Sequence, residues 1–168
     1  MLRTILNEKR LIGGKAMIRG GYRCVCFTEA PFDQLRAGLS WSISRYNKSE
    51  NRRFQPYGIL FGKGYLFDIG GRPVIYQSHD EYDALPEALR YRHVKYEPNA
   101  NPPVDFTWER EWRLHTDELR LDPENCTVLV QTDAEREEMA NMWFPEEKVP
   151  WIVLTPDQVT AKKTPRSN

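Results

Sequence analysis

Between residues 105 and 115 large side chains fall at every second place, with Phe106, Trp108, Trp112 and Leu114 in step and Arg110 as the odd member. A period of two belongs to a β-strand, whose successive side chains point to opposite faces. The spacing predicts a strand over 105–115. One face holds Phe106, Trp108, Arg110, Trp112 and Leu114 and should turn to a core. The other holds Thr107, Glu109, Glu111, Arg113 and His115. Such a strand requires a sheet with one covered face. Its polar face is either a solvated surface with Glu–Arg cross-strand pairs or the wall of a cleft.

The rest of the chain reads as short elements. Leu2, Ile5, Leu6 and Leu11 have roughly helical spacing, which predicts a helix over 2–10 ended by Gly13-Gly14. Strand-like runs follow at 22–28, 57–61, 73–77, 93–96, 127–131 and 150–154. Pro31 opens a helix over 31–46, on which Phe32, Leu35, Leu39 and Ile43 recur. Residues 47–56 form a long polar loop, a candidate binding loop. Helical turns are expected within 62–72 and over 81–91. Thr132 and Glu135 have the spacing of a capping box and start a helix to about Trp143, with Met139, Met142 and Trp143 on its core side. Cys24 and Cys26 share a strand face and are expected in the core. Strands outnumber helices without strict βαβ alternation, which predicts an α+β fold with a mixed, largely antiparallel sheet. The expected organisation is a single domain over 1–160 and a disordered tail over 161–168.

A chain of 168 residues suits one domain, and five Trp with eight Tyr exclude a disordered composition. No apolar run reaches the roughly 20 residues that span a bilayer, and Met1-Leu2-Arg3-Thr4 opens no signal peptide. Three cysteines, at 24, 26 and 126, make no disulfide framework, and a reducing cytoplasm is expected. The three His have no ligand spacing, so no metal is expected. Residues 1–54 carry eleven Lys and Arg against four Asp and Glu, and the remainder thirteen against twenty. The basic part either attracts a phosphate-bearing partner such as nucleic acid or folds against the acidic part. The chain lacks a P-loop, a Gly-x-Gly-x-x-Gly and a Gly-x-Ser-x-Gly, which removes kinase, Rossmann dehydrogenase and α/β-hydrolase readings.

Four segments stand in order: Val25-Cys26-Phe27-Thr28-Glu29-Ala30-Pro31, Tyr57-Gly58-Ile59-Leu60-Phe61, Arg72-Pro73-Val74-Ile75-Tyr76 and Glu109-Arg110-Glu111-Trp112-Arg113. This succession resembles AbiGi-type abortive-infection proteins of phage defence, over roughly residues 5–115. It is also similar, more distantly, to the ADP-ribosyltransferase fold, including DarT-type enzymes. The resemblance implies a split β-sheet with flanking helices that holds NAD as co-substrate. It implies NAD cleavage at the nicotinamide–ribose bond and transfer of ADP-ribose to a macromolecule, with nucleic acid as one acceptor class and a cognate antitoxin as a partner. By the same resemblance Glu111 is the catalytic carboxylate and Glu109 completes a Glu-x-Glu arrangement. Cys26, Phe27 and Thr28 line the NAD cleft. Phe27, Phe32 or Tyr57 stacks on nicotinamide, and Arg23 or Arg45 holds the pyrophosphate. The chain departs from the DarT pattern where Glu29-Ala30-Pro31 replaces an Arg beside the proline, and no His precedes His79.

Such chemistry needs a carboxylate, because cleavage of the glycosidic bond builds positive charge on the ribose. A second carboxylate can take the proton of the incoming nucleophile. Two other readings stand beside this one. The first is a non-catalytic module that binds nucleic acid or protein through the basic N-terminal region and the 47–56 loop. The second is a metal-dependent nuclease built on Asp105, Glu109 and Glu111.

Overall fold

A computed structural model describes residues 2–30, 57–142 and 151–161. The expected helix over 31–46 with Phe32 and Arg45, the 47–56 loop with Arg52 and Arg53, Trp143, and residues 162–168 lie outside the described residues. The fold is α+β, with mostly antiparallel pairing and short helices. The chain divides into two compact units. One comprises Met1–Thr4, Pro31–Gly62 and Leu121–Asn168; the other comprises Ile5–Ala30 and Lys63–Arg120.

In the first unit β3 (Gly58–Phe61), β9 (Cys126–Leu129) and β10 (Ile152–Leu154) form one sheet with β9 central. β3 runs antiparallel to β9 and β10 parallel to it. The central strand is covered on both faces: Cys126, Val128 and Leu129 are all buried. The expected capping box is present at the start of α4 (Asp133–Met142). Glu135 Oε2 accepts from the Thr132 backbone N–H at 3.0 Å, and the Thr132 hydroxyl accepts from the Glu135 N–H at 3.2 Å. Met139 is buried, as its helical spacing predicts. A last short helix, α5, spans Pro156–Ala161.

The second unit is built around β7 (Glu111–His115), flanked by β2 (Cys24–Thr28) and β4 (Arg72–Pro73). The β2–β7 register pairs Cys24 with His115, Cys26 with Arg113, Phe27 with Trp112 and Thr28 with Glu111. One face of this ribbon carries Val25, Trp112 and Leu114, all buried, and is the apolar side. Pro73 sits on an edge strand, where its missing N–H costs no sheet bond. β1 (Arg10–Ile12) pairs with β8 (Glu118–Arg120), and β5 (Ile75–Gln77) runs parallel to β6 (His93–Lys95). The helical pieces are α1 (Leu2–Glu8), α2 (Lys63–Asp68) and α3 (Glu87–Arg90), with a 3₁₀ turn at Asp80–Ala84. Among the described residues no helix is long and apolar enough to cross a membrane.

Four expectations need correction. The helix expected over 2–10 ends at Glu8, because Lys9 adopts a left-handed φ of 50° and the chain turns into β1. The run 73–77 divides at Val74: β4 pairs with β7 and β5 with β6, so the chain changes sheets there. The helix expected over 81–91 is interrupted at Pro86, which separates the 3₁₀ turn from α3. The strand expected over 105–115 exists only from Glu111. Asp105 Oδ1 accepts from both the N–H (2.9 Å) and the hydroxyl (2.7 Å) of Thr107, winding the chain into a 3₁₀ turn over Thr107–Glu109. Arg110 then takes a left-handed φ of 46°. The alternation of faces read over the whole segment therefore holds for 111–115 alone.

Candidate functional site

The polar face of the β2–β7 ribbon brings together Cys26, Thr28, Glu111 and Arg113. Glu111 and Arg113 stand two residues apart on one strand, so their side chains share a face. Arg113 donates from Nε to Glu111 Oε1 at 2.8 Å and from Nη2 to Oε2 at 3.3 Å. Its Nη1 donates to the carbonyls of Tyr91 (2.8 Å) and His93 (3.0 Å). A planar fork presents these donors in fixed directions, which lysine cannot reproduce. The Arg113 side chain is 5% exposed and that of Glu111 14%. The pair is therefore nearly dry, and only the carboxylate keeps an edge toward water. Cys26 and Thr28 are exposed beside it.

Glu109 is not on this face. It sits in the 3₁₀ turn and is buried, because the left-handed Arg110 reverses the backbone before β7 begins. The turn is pinned from β2: the Thr28 hydroxyl donates to the Glu109 carbonyl at 2.6 Å, and the Glu29 N–H donates to the Arg110 carbonyl at 3.2 Å. The Tyr76 hydroxyl ties the other side. It donates to the Phe106 carbonyl and accepts from the Glu111 N–H, each at 3.2 Å. Burial raises the Tyr76 phenol above its ordinary range, and the Glu111 and Glu109 carboxylates add to the effect. The two carboxylates thus act on one phenol rather than side by side on a strand.

The remaining expected residues lie elsewhere. Phe27 is on the opposite face, paired with Trp112. There the Trp112 indole N–H donates to Glu29 Oε2 at 2.9 Å, while Lys63 holds Glu29 Oε1 at 2.6 Å. Arg23 stands beyond the start of β2, at the far end of the ribbon, 3.6 Å from Asp117. Tyr57 belongs to the first unit, where its hydroxyl donates to Glu135 at 2.7 Å. Cys24 is buried as expected, but Cys26 is exposed. Among the described residues no three His, Cys, Asp or Glu side chains come together as metal ligands. The sequence reading gave no role to Arg113 or Tyr76. The signal for Arg113 was its place two residues after Glu111; Tyr76 carried none.

Partial enclosure, followed by the nearby Glu111 carboxylate, pushes the Cys26 thiol up to about 12. Exposure and reactivity therefore part company here. At pH 8.5 an ordinary thiol is about half ionised, whereas Cys26 is ionised to well under about 1%. We expect iodoacetamide at that pH to modify Cys26 at least about fiftyfold more slowly than free cysteine, followed by mass spectrometry of the native protein. A rate within a few-fold of the free thiol would contradict the enclosure of the thiol beside the carboxylate.

No protein-family model matches this chain, no curated protein matches it in sequence, and no solved structure matches it in fold.

Proposed function

We propose that this chain is an NAD-consuming enzyme of the ADP-ribosyltransferase type, acting in phage defence, with Glu111 as its essential carboxylate. The observation that carries the reading is the register of Thr28 opposite Glu111 on one face of the β2–β7 ribbon. An early Cys-Phe-Thr strand and a late Glu-Trp-Arg strand, distant in sequence, become neighbours there. In this reading Arg113 fixes the direction of the Glu111 carboxylate. Glu111 accepts a hydrogen bond from a ribose hydroxyl and stabilises the positive charge that grows as the carbon–nitrogen bond breaks. The bond's electron pair leaves with nicotinamide. The acceptor's nucleophile forms the new bond to the ribose carbon and releases its proton to water at the open Cys26–Thr28 rim. Glu109 and Tyr76 are positioning residues that hold the turn from which Glu111 emerges.

The binding-module reading draws less support. Of the basic residues in the N-terminal region, Arg3, Arg10 and Arg19 each stand within ion-pair distance of an acid: Glu138, Glu8 with Glu118, and Asp83 respectively. Charges neutralised in this way leave a weaker field for nucleic acid. The deciding experiment is calorimetric titration with NAD together with release of nicotinamide from it. Heat of binding and steady nicotinamide release are expected. Neither signal at millimolar NAD would overturn the reading.

A further inference from the structure

We propose that the groove at the His115 end of β7 binds a nucleoside monophosphate, independently of the chemistry assigned to Glu111. The groove is open, holds about 530 Å³, and is lined by residues 20–23 and 115–117. That volume lies within the range of small-molecule sites. Its walls combine three features that one ligand class satisfies together.

The first is an aromatic wall of Tyr22 and His115, the imidazole being backed by Tyr91, which does not itself line the groove. His115 stacks on Tyr91 with ring centres 5.1 Å apart and planes 24° apart, and meets Tyr22 edge-on at 5.4 Å. Rings held in this way offer a rigid surface for a planar base. The second feature is a weakly engaged cation. The Arg23 guanidinium is held only by long contacts, 3.4 Å to the Gly13 carbonyl and 3.6 Å to Asp117, and its side chain is 52% exposed. A phosphate would offer it a shorter, charge-assisted, bidentate contact. The third is an acceptor. The Asp117 side chain is 85% exposed, and its carboxylate can accept from the ring N–H or amino group of a base.

The backbone keeps the groove clear. Gly20 has φ +86°, and a Cβ there would stand 2.4 Å from the Tyr82 hydroxyl and 2.6 Å from the Tyr22 ring. Any side chain at 20 would therefore displace the aromatic wall. Gly21, with φ +74°, adds bare backbone beside it. The floor is fixed by Thr116 N–H donating to the Arg23 carbonyl at 3.1 Å and Gly13 N–H donating to the Asp117 carbonyl at 2.7 Å.

The test is calorimetric titration of the full chain with AMP, GMP, adenosine and inorganic phosphate. AMP and GMP should bind, and AMP should bind at least about tenfold more tightly than either adenosine or phosphate alone. Arg23→Ala should reduce AMP affinity about tenfold or more while leaving adenosine affinity unchanged. His115→Ala should weaken AMP and adenosine alike, and His115→Phe should restore adenosine binding, because a ring is what that position supplies. No binding of AMP up to about 5 mM by well-folded protein, or AMP affinity indifferent to both Arg23→Ala and His115→Ala, would overturn the proposal.

The same chemistry is offered by a free mononucleotide and by the AMP half of NAD. His115 lies four residues along the strand from Glu111, roughly 13 Å at the usual rise. Displacement of AMP by NAD would assign the groove to the dinucleotide, and simultaneous binding would assign it to a separate nucleotide. The AMP titration requires no turnover, so its result and that of the nicotinamide assay fail or succeed separately.

Discussion

Replacing Arg113 with Met is expected to destabilise the protein by about 3–5 kcal/mol, read as a lowered urea midpoint with little change in slope. The size follows from what the side chain does. Its guanidinium is nearly dry, is paired with a nearly dry Glu111 carboxylate, and satisfies two backbone carbonyls, those of Tyr91 and His93. Removing it leaves a largely buried carboxylate and two carbonyls without their donor, and stranding polar groups that are mostly out of water is costly. Arg113→Lys should recover little, because an ammonium cannot serve the carboxylate and both carbonyls in the geometry of a fork. The double variant Glu111→Leu with Arg113→Met should be more stable than Arg113→Met alone, since it removes the stranded anion. A single-variant loss below about 1 kcal/mol would mean that water reaches this pair in solution.

The importance of Arg113 shows what was legible in the sequence. Local periodicity identified the β7 strand, its apolar Trp112 and Leu114 face, and the placing of Glu111 and Arg113 on the other face. Capping chemistry identified the start of α4, because Thr132 and Glu135 need only each other. The misreadings come from two sources. At Asp105 a side chain competed with the backbone, and its two bonds to Thr107 outweighed an alternation that otherwise favoured a strand. That signal was present in the sequence, as an Asp two places before a Thr, and the aromatic pattern masked it. The other source is long-range pairing. β1 and β8 are three residues each and hold together through partners more than a hundred positions apart. Arg10-Leu11-Ile12 carries no pattern that distinguishes it from the end of a helix. The same holds for Tyr76, whose hydroxyl matters because of where Phe106 and Glu111 come to lie.

Glu111→Gln is expected to reduce nicotinamide release by about 10²–10³-fold per folded molecule, the usual loss when one preorganised charge is removed from a transition state. Gln keeps the shape of the side chain and its reach toward a ribose hydroxyl, but not the charge. Binding of NAD should then fall much less than turnover, because the carboxylate acts most strongly where positive charge develops. The substitution also strands the Arg113 guanidinium, so stability will fall as well, and turnover must be normalised to the folded fraction at each temperature. Cys26 supplies an internal check on geometry. Loss of the neighbouring carboxylate removes one cause of its raised thiol, so alkylation of Cys26 should accelerate in the variant. Faster alkylation with normalised turnover unchanged would make Glu111 a structural partner of Arg113 and nothing more. Faster alkylation with turnover reduced a hundredfold would separate the carboxylate's chemical role from its structural one, because the fold and the ribbon face would be intact while the reaction was not.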